Sequence, residues 1–275
     1  MDSVALVKYK QDIGEALERG LELIGGFGEL RSPVLLKPNI CTISDNTGYS
    51  VTRVEVVEAL VDLVLRENGN LSIRIVESDS QSKTAGNAFA KFGYVRLASK
   101  IQKAGFDVSL VNLSQSKLDS VTFEGDYFKD PDLPDLIVKP GYFISVAAAK
   151  THYLTFITGV LKNLFGVLPR KDQSFYHSRI DDVIADLARL TRPDLSIVDA
   201  RVGIEGWNGP RTRRLDAFIL GHGPVSVDAT MARIMGFDPE EIHHVVKSAN
   251  YDLGTLNPDV RGSSIESVAV EFEPP

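Results

Sequence analysis

Short apolar runs alternate along the chain with stretches in which apolar residues recur every three or four positions. Runs of strand length fall at Val4–Tyr9, Val34–Lys37, Ser72–Glu77, Val108–Asn112, Tyr142–Ala147, Leu195–Val198 and Asp216–Leu220. Helical periodicity covers Ile13–Ile24, Arg53–Arg66, Tyr94–Ala104, Arg179–Leu190, Ser226–Met235 and Pro239–Ser248. Strand-length apolar runs interleaved with helices predict an α/β fold, a largely parallel, doubly wound sheet with helices on both faces. In the second helix Val54, Val57, Leu60, Val61 and Val64 share one face, which is therefore buried. Thr52 stands where an N-cap belongs, with Glu55 three residues on to complete a capping box.

A chain of this length forms either one α/β domain over 1–275 or two lobes, about 1–135 and 136–275. The turn-rich segment 114–134 contains Asp130-Pro131 and Leu133-Pro134, which break regular structure, and it reads as a small insertion. No internal repeat, low-complexity tract or heptad pattern interrupts this reading.

Composition narrows the function classes. Hydrophobic residues make up 43% and charged residues 24%, an ordinary globular balance. A net charge of −7 disfavours nucleic acid as a partner, because phosphate backbones need a basic surface. The single cysteine, Cys41, excludes a disulfide framework and an iron–sulfur cluster held by this chain's own thiolates. Residues 1–10 read as a strand rather than a signal peptide, and the apolar stretch Tyr142–Ala149 is too short to span a bilayer. The expectation is a cytoplasmic protein that does not engage a membrane.

Polar residues collect where the apolar runs end. Val34–Lys37 leads into Asn39 and Cys41, Ser72–Glu77 into Ser78 and Asp79, and Tyr142–Ala149 into Lys150-Thr151-His152. Leu195–Val198 leads into Asp199 and Gly203-Ile204-Glu205-Gly206, and Asp216–Leu220 into Gly221-His222-Gly223. In open α/β sheets ligands bind outside the carboxyl ends of the strands, at a switch in strand order, so these ends should line one crevice. Its densest part runs from Lys150 and His152 through Lys162 and Asn163 to His177. Lysines supply point charges, histidines exchange protons, and asparagine fixes a carbonyl or carboxylate. Buried charge needs a partner, so Lys162-Asn163 inside an apolar run points to a small anionic metabolite.

The segments Leu36-Lys37-Pro38-Asn39, Lys150-Thr151-His152, Thr158-Gly159-Val160-Leu161-Lys162-Asn163-Leu164-Phe165-Gly166 and His177 occur in that order. Val198-Asp199-Ala200, Gly203-Ile204-Glu205-Gly206, Gly209-Pro210, Val227-Asp228-Ala229 and Ile234-Met235-Gly236 follow. From about Val34 to Gly254 this set resembles the family called domain of unknown function 362. Many members carry ferredoxin-type cysteine motifs that imply redox work. This chain has none, so the resemblance does not carry that role over, and a redox partner chain has no support in the residues.

Two readings follow. In the first, an enzyme binds a phosphate- or carboxylate-bearing metabolite through Lys37, Asn39, Lys150, Lys162, Asn163 and His222. His152 or His177 would act as general acid/base, with Asp199 or Glu205 orienting the imidazole. In the second, the same crevice serves a non-catalytic module for a metabolite, cofactor or partner. The cofactor is undefined by sequence. Glu77, Asp79 and Asp228 suit a divalent cation, although Asp228 near the start of its helix also suits the helix dipole. Cys41 suits a nucleophile or a small buried residue. Arg211, Arg213 and Arg214 suit a phosphate clamp or a solvated turn. Gly25-Gly26-Phe27-Gly28 follows a helix and so is no dinucleotide fingerprint.

Overall fold

The computed structural model describes residues 2–45 and 47–275. Its strands are β1 (Ser3–Lys8), β2 (Val34–Pro38), β3 (Ile73–Glu77), β4 (Val108–Asn112), β5 (Leu118–Ser120), β6 (Asp132–Pro134), β7 (Tyr142–His152), β8 (Phe156–Thr158), β9 (Leu195–Glu205), β10 (Arg211–Gly221) and β11 (Asp259–Gly262). Its helices are α1 (Ile13–Ile24), α2 (Val54–Glu67), α3 (Ala85–Lys91), α4 (Tyr94–Lys103), α5 (Asp135–Val138), α6 (Val160–Asn163), α7 (Ile180–Thr191), α8 (Pro224–Ile234) and α9 (His243–Ala249). Among the described residues nine strands form one sheet, in the order β11-β1-β10-β9-β7-β2-β3-β4, with β8 paired to β7. The block β9-β7-β2-β3-β4 is parallel, whereas β10 runs antiparallel to both its neighbours. The fold is α/β, a mostly parallel mixed sheet between two helical layers.

Alternating side chains explain why the strands are apolar throughout. In β7, Phe143 and Ala147 enter one core while Tyr142, Ile144 and Val146 enter the other; in β2, Leu35 opposes Val34 and Leu36. Helices α1 to α4 cover the second core, and α6 to α9 cover the first. Strand order reverses between β2 and β7. From β2 the chain moves through α2 to β3; from β7 it moves through α7, on the opposite face, to β9. The crevice of an open α/β sheet forms at such a point. No helix among the described residues is long and apolar enough to cross a membrane.

Several elements depart from the sequence pattern. Strand β7 runs past Ala147 to His152 because β8 folds back on it, pairing Lys150 with Thr158 and His152 with Phe156. Strands β9 and β10 extend beyond Val198 and ahead of Asp216 as a hairpin, with Glu205 opposite Arg211. The pairing shifts register between Arg214 and Ala217. The expected capping box on α2 is absent. Thr52 accepts from the Asn39 amide (2.8 Å) and donates to the Val146 carbonyl (2.7 Å), so its hydroxyl ties the loop after β2 to β7. Glu55 pairs with Arg53 and Arg201 instead. Within 114–134, β5 and β6 form a two-stranded sheet of their own. The adjoining turn is held by the buried Asp186 carboxylate, which accepts from the amides of Asp126, Tyr127 and Phe128.

Candidate functional site

A pocket of about 120 Å³ opens at the carboxyl ends of β2, β3 and β7, beside the reversal in strand order. Its walls include Lys37, Asn39, Glu77, Lys150, His152 and Asn163 from strand ends and α6. Cys41, Lys83, Thr158, Lys162, Gly166, Gln173 and Trp207 are also among them. Among the described residues it is lined by four lysines and one carboxylate, an excess of positive charge in a chain that is acidic overall.

Glu77 partners the innermost lysine. Lys37 Nζ donates to Glu77 Oε2 at 2.8 Å and to the Pro38 carbonyl at 2.8 Å, and both side chains are almost wholly buried. Burial lowers the Lys37 pKa and the carboxylate opposes the shift. The second oxygen of Glu77 accepts the Ser78 amide and lies 3.7 Å from Lys83 Nζ. Gly166 closes over this pair, since a Cβ there would sit 2.7 Å from Lys37 Nζ and 2.8 Å from Glu77 Oε1. Only glycine lets the backbone approach so closely.

Lys150, 1% exposed, has neutral partners. Its ammonium donates to Asn39 Oδ1 and the Ser50 carbonyl, each at 2.8 Å, and Cys41 Sγ lies at 3.4 Å. Asn163 holds the strand ends together, donating to the Lys37 carbonyl (2.9 Å) and Ser145 Oγ (3.1 Å). Lys162 is different. Among the described residues it makes no hydrogen bond or ion pair, only the face of the Phe165 ring at 5.7 Å. Lost hydration, and after it the charge of Lys150, lower its pKa to about 8. The Thr158 hydroxyl, also in the wall, is buried without a partner.

His152 is a fixed hydrogen-bond donor. The Leu154 amide donates to Nδ1 at 3.1 Å, which leaves the ring proton on Nε2. Burial and then the charges of Lys162 and Lys150 lower its pKa to about 2, so the imidazole is neutral at physiological pH. His177 lies on the 3₁₀ segment Gln173–Arg179, half-buried, with its ring 6.2 Å from Phe165 and outside the pocket wall.

Other candidates have structural partners elsewhere. Asp199 holds Arg201 through two hydrogen bonds of 2.9 and 2.7 Å and orients neither imidazole. Glu205 pairs across the hairpin with Arg213 (2.9 Å) and Arg211 (3.2 Å), and Arg214 pairs with Asp216. Each of the three arginines is thus paired with a carboxylate. His222 sits at the opposite end of the sheet, against the carbonyls of Asp194 and Gly26, because β10 is antiparallel and its last residue pairs with Ser196. Asp79 accepts from the Ala85 amide and Asn112.

Asp228 does not serve its own helix. Its carboxylate accepts the Val160 amide (2.7 Å) and the Leu161 amide (3.0 Å) and so caps α6. Gly159 permits the approach, because a Cβ would lie 2.0 Å from Asp228 Oδ1. Glu77, Asp79 and Asp228 thus face different partners. Among the described residues no group of three or more His, Cys, Asp or Glu is placed to hold a metal ion. Gly25 and Gly26 adopt left-handed backbone at the end of α1, with Gly25 its C-cap.

Cys41 is partly exposed in the pocket wall rather than buried. The site residues missing from the sequence reading include Lys83, Gln173 and Trp207, none of which had a local signal, whereas Thr158 stood inside the glycine-bearing motif.

Comparison with known proteins agrees on family. A curated relative, the thylakoid-associated protein sll1697 of Synechocystis sp. (strain ATCC 27184 / PCC 6803 / Kazusa), is 27% identical over 236 residues, 81% of this chain and 70% of that protein. The lactate racemase apoprotein from Thermoanaerobacterium thermosaccharolyticum aligns at a TM-score of 0.46 with 12% identity over 79% of this chain. The alignment spans only 54% of that enzyme. The profile of the family described as Domain of unknown function (DUF362) matches residues 34–233, which contain every wall of the pocket. The chain belongs to the DUF362 family.

Proposed function

We propose that this protein binds a small metabolite through a phosphate or carboxylate group and is an enzyme acting on it. The observation that carries the reading is the pair of unpartnered polar groups in the pocket, the Lys162 ammonium and the Thr158 hydroxyl, in a wall with one carboxylate. A bound oxyanion gives both a partner and offsets the excess charge of Lys150 and Lys162. Under this reading His152 donates Nε2–H to the same oxyanion. Lys162, with a pKa near working pH, moves the proton in place of an imidazole. Its partner is a small molecule, met in the cytoplasm; cell fractionation tests that location against the thylakoid association in the relative's name.

Thermal unfolding with phosphate, pyrophosphate and dicarboxylates tests the binding. At a hundred times Kd a ligand stabilises by about 2.7 kcal/mol, and Lys162→Ala should remove the response. No shift with any of these at millimolar concentration would overturn the reading. Sulfate keeps its charge near neutrality, so a change in its affinity with pH comes from the protein. Its affinity should fall as pH rises through about 8, because Lys162 loses its proton there; calorimetric titration on either side of that pH checks this.

The alternative is binding without chemistry. It is favoured by one feature: no carboxylate among the described residues bonds to His152 or His177. A ligand that co-purifies, identified by mass spectrometry and recovered unchanged after prolonged incubation with the protein, would support that alternative.

A further inference from the structure

The size of the pocket limits what enters it. An apolar cavity of about 150 Å³ takes up one benzene, so about 120 Å³ admits an oxyanionic group and few further atoms. The rest of any metabolite must lie across the mouth. Seven large apolar side chains are exposed among the described residues; one of them, Trp207, lines the pocket, and Tyr153, Leu154 and Phe175 each lie within two residues of a wall residue. Trp207, 41% exposed, is part of the wall, and its carbonyl lies 4.0 Å from Cys41 Sγ. Tyr153, 65% exposed, stacks on His152 with ring centroids 4.9 Å apart and planes 13° from parallel. Leu154 follows it, and its amide bonds His152. Phe175 stands two residues after the wall residue Gln173, under the Arg170 guanidinium at 3.8 Å.

Exposed aromatic side chains gathered round a polar pocket mark a surface that a ligand covers. Flat rings match flat rings. Resting on the oxyanion reading above, we propose that the ligand is an aryl-bearing oxyanion, its phosphate or carboxylate among the lysines and its aromatic body against Trp207 and Tyr153. A purely aliphatic phosphate would leave those rings in water.

Trp207 is the only tryptophan in the chain, so its fluorescence reports directly on the rim. The full-length protein is titrated with inorganic phosphate, glycerol 3-phosphate and phenyl phosphate, by calorimetry and by Trp207 emission. Phenyl phosphate should bind roughly two- to ten-fold tighter than glycerol 3-phosphate, the worth of one aromatic contact. It alone should change the emission strongly. In Trp207→Ala and, separately, Tyr153→Ala, the ratio of the two affinities should fall towards one. Equal affinities in the wild-type protein would overturn the aryl assignment while leaving the oxyanion site standing. Absence of binding by all three would remove both. Sedimentation with phosphatidylglycerol vesicles that the rim variants abolish, without an aryl preference, would assign the rim to a lipid surface and overturn the proposal.

Discussion

Glu77→Ala should lower the stability of the protein by about 3–5 kcal/mol, the range for stranding one member of a buried ion pair. Lys37 is 1% exposed, and with Glu77 gone its ammonium would keep only the Pro38 carbonyl and a 3.4 Å contact to Asn163. Lys83 would lose its nearby countercharge as well. The deletion therefore leaves more charge unbalanced than a lone pair would, and urea denaturation at neutral pH is the measurement. The double variant Lys37→Met/Glu77→Leu should recover only the part of the loss that belongs to Lys37, because apolar residues of similar volume avoid that desolvation penalty while Lys83 still lacks its countercharge. A loss from Glu77→Ala below about 1 kcal/mol, the range of surface pairs, would mean that water reaches this pair freely.

The second large effect is expected at Asp228. Alanine there strips two buried amides, Val160 and Leu161, of their acceptor, at about 1–3 kcal/mol each. The turn it caps carries Lys162 and Asn163, so oxyanion affinity should fall together with stability. Burial raises the Asp228 pKa to about 7, against the pull of the two amides. Since the folded pKa lies above the unfolded one, this group's contribution is full below the unfolded pKa and is lost as pH rises through about 7. The wild-type urea midpoint should therefore drop more between pH 5 and pH 8 than that of Asp228→Asn, which cannot ionise. Parallel pH profiles for the two proteins would show that Asp228 carries no proton in the folded state.

The readable parts of the fold were those in which one segment decides its own structure. A run such as Val34 to Leu36 needs apolar cover on both sides whatever its neighbours are, and Ile13–Ile24 needs one apolar face. Short strands were not readable, because β8 and β11 exist through their partners, β7 and β1. Strand direction was also invisible. That is why His222 looked like a companion of His152 yet lies at the far end of the sheet, its strand running the other way. Local chemistry was legible at Lys37, Asn39 and Lys150, at the ends of parallel strands, and at Asn163 on α6, which meet in the pocket. Asp199 and Glu205 have the same local appearance, but each has an arginine two to eight residues away along its own strand or hairpin, and those short-range pairs satisfy them. Lys83 and Trp207 reach the pocket from loops whose course depends on the whole fold.

Strand order also has a consequence for how the protein is made. Strand β1 lies between β10 and β11, and its antiparallel partner residues are 217–221. At about 5–20 residues per second, a ribosome needs roughly 10–40 s after releasing β1 before that partner exists. During that interval the strand must wait against α1 alone, with both hydrogen-bonding edges open. Strands β2, β3 and β4 pair among themselves within far less chain. The nascent polypeptide should therefore acquire protease resistance in the segment 34–112 before it acquires any in β1.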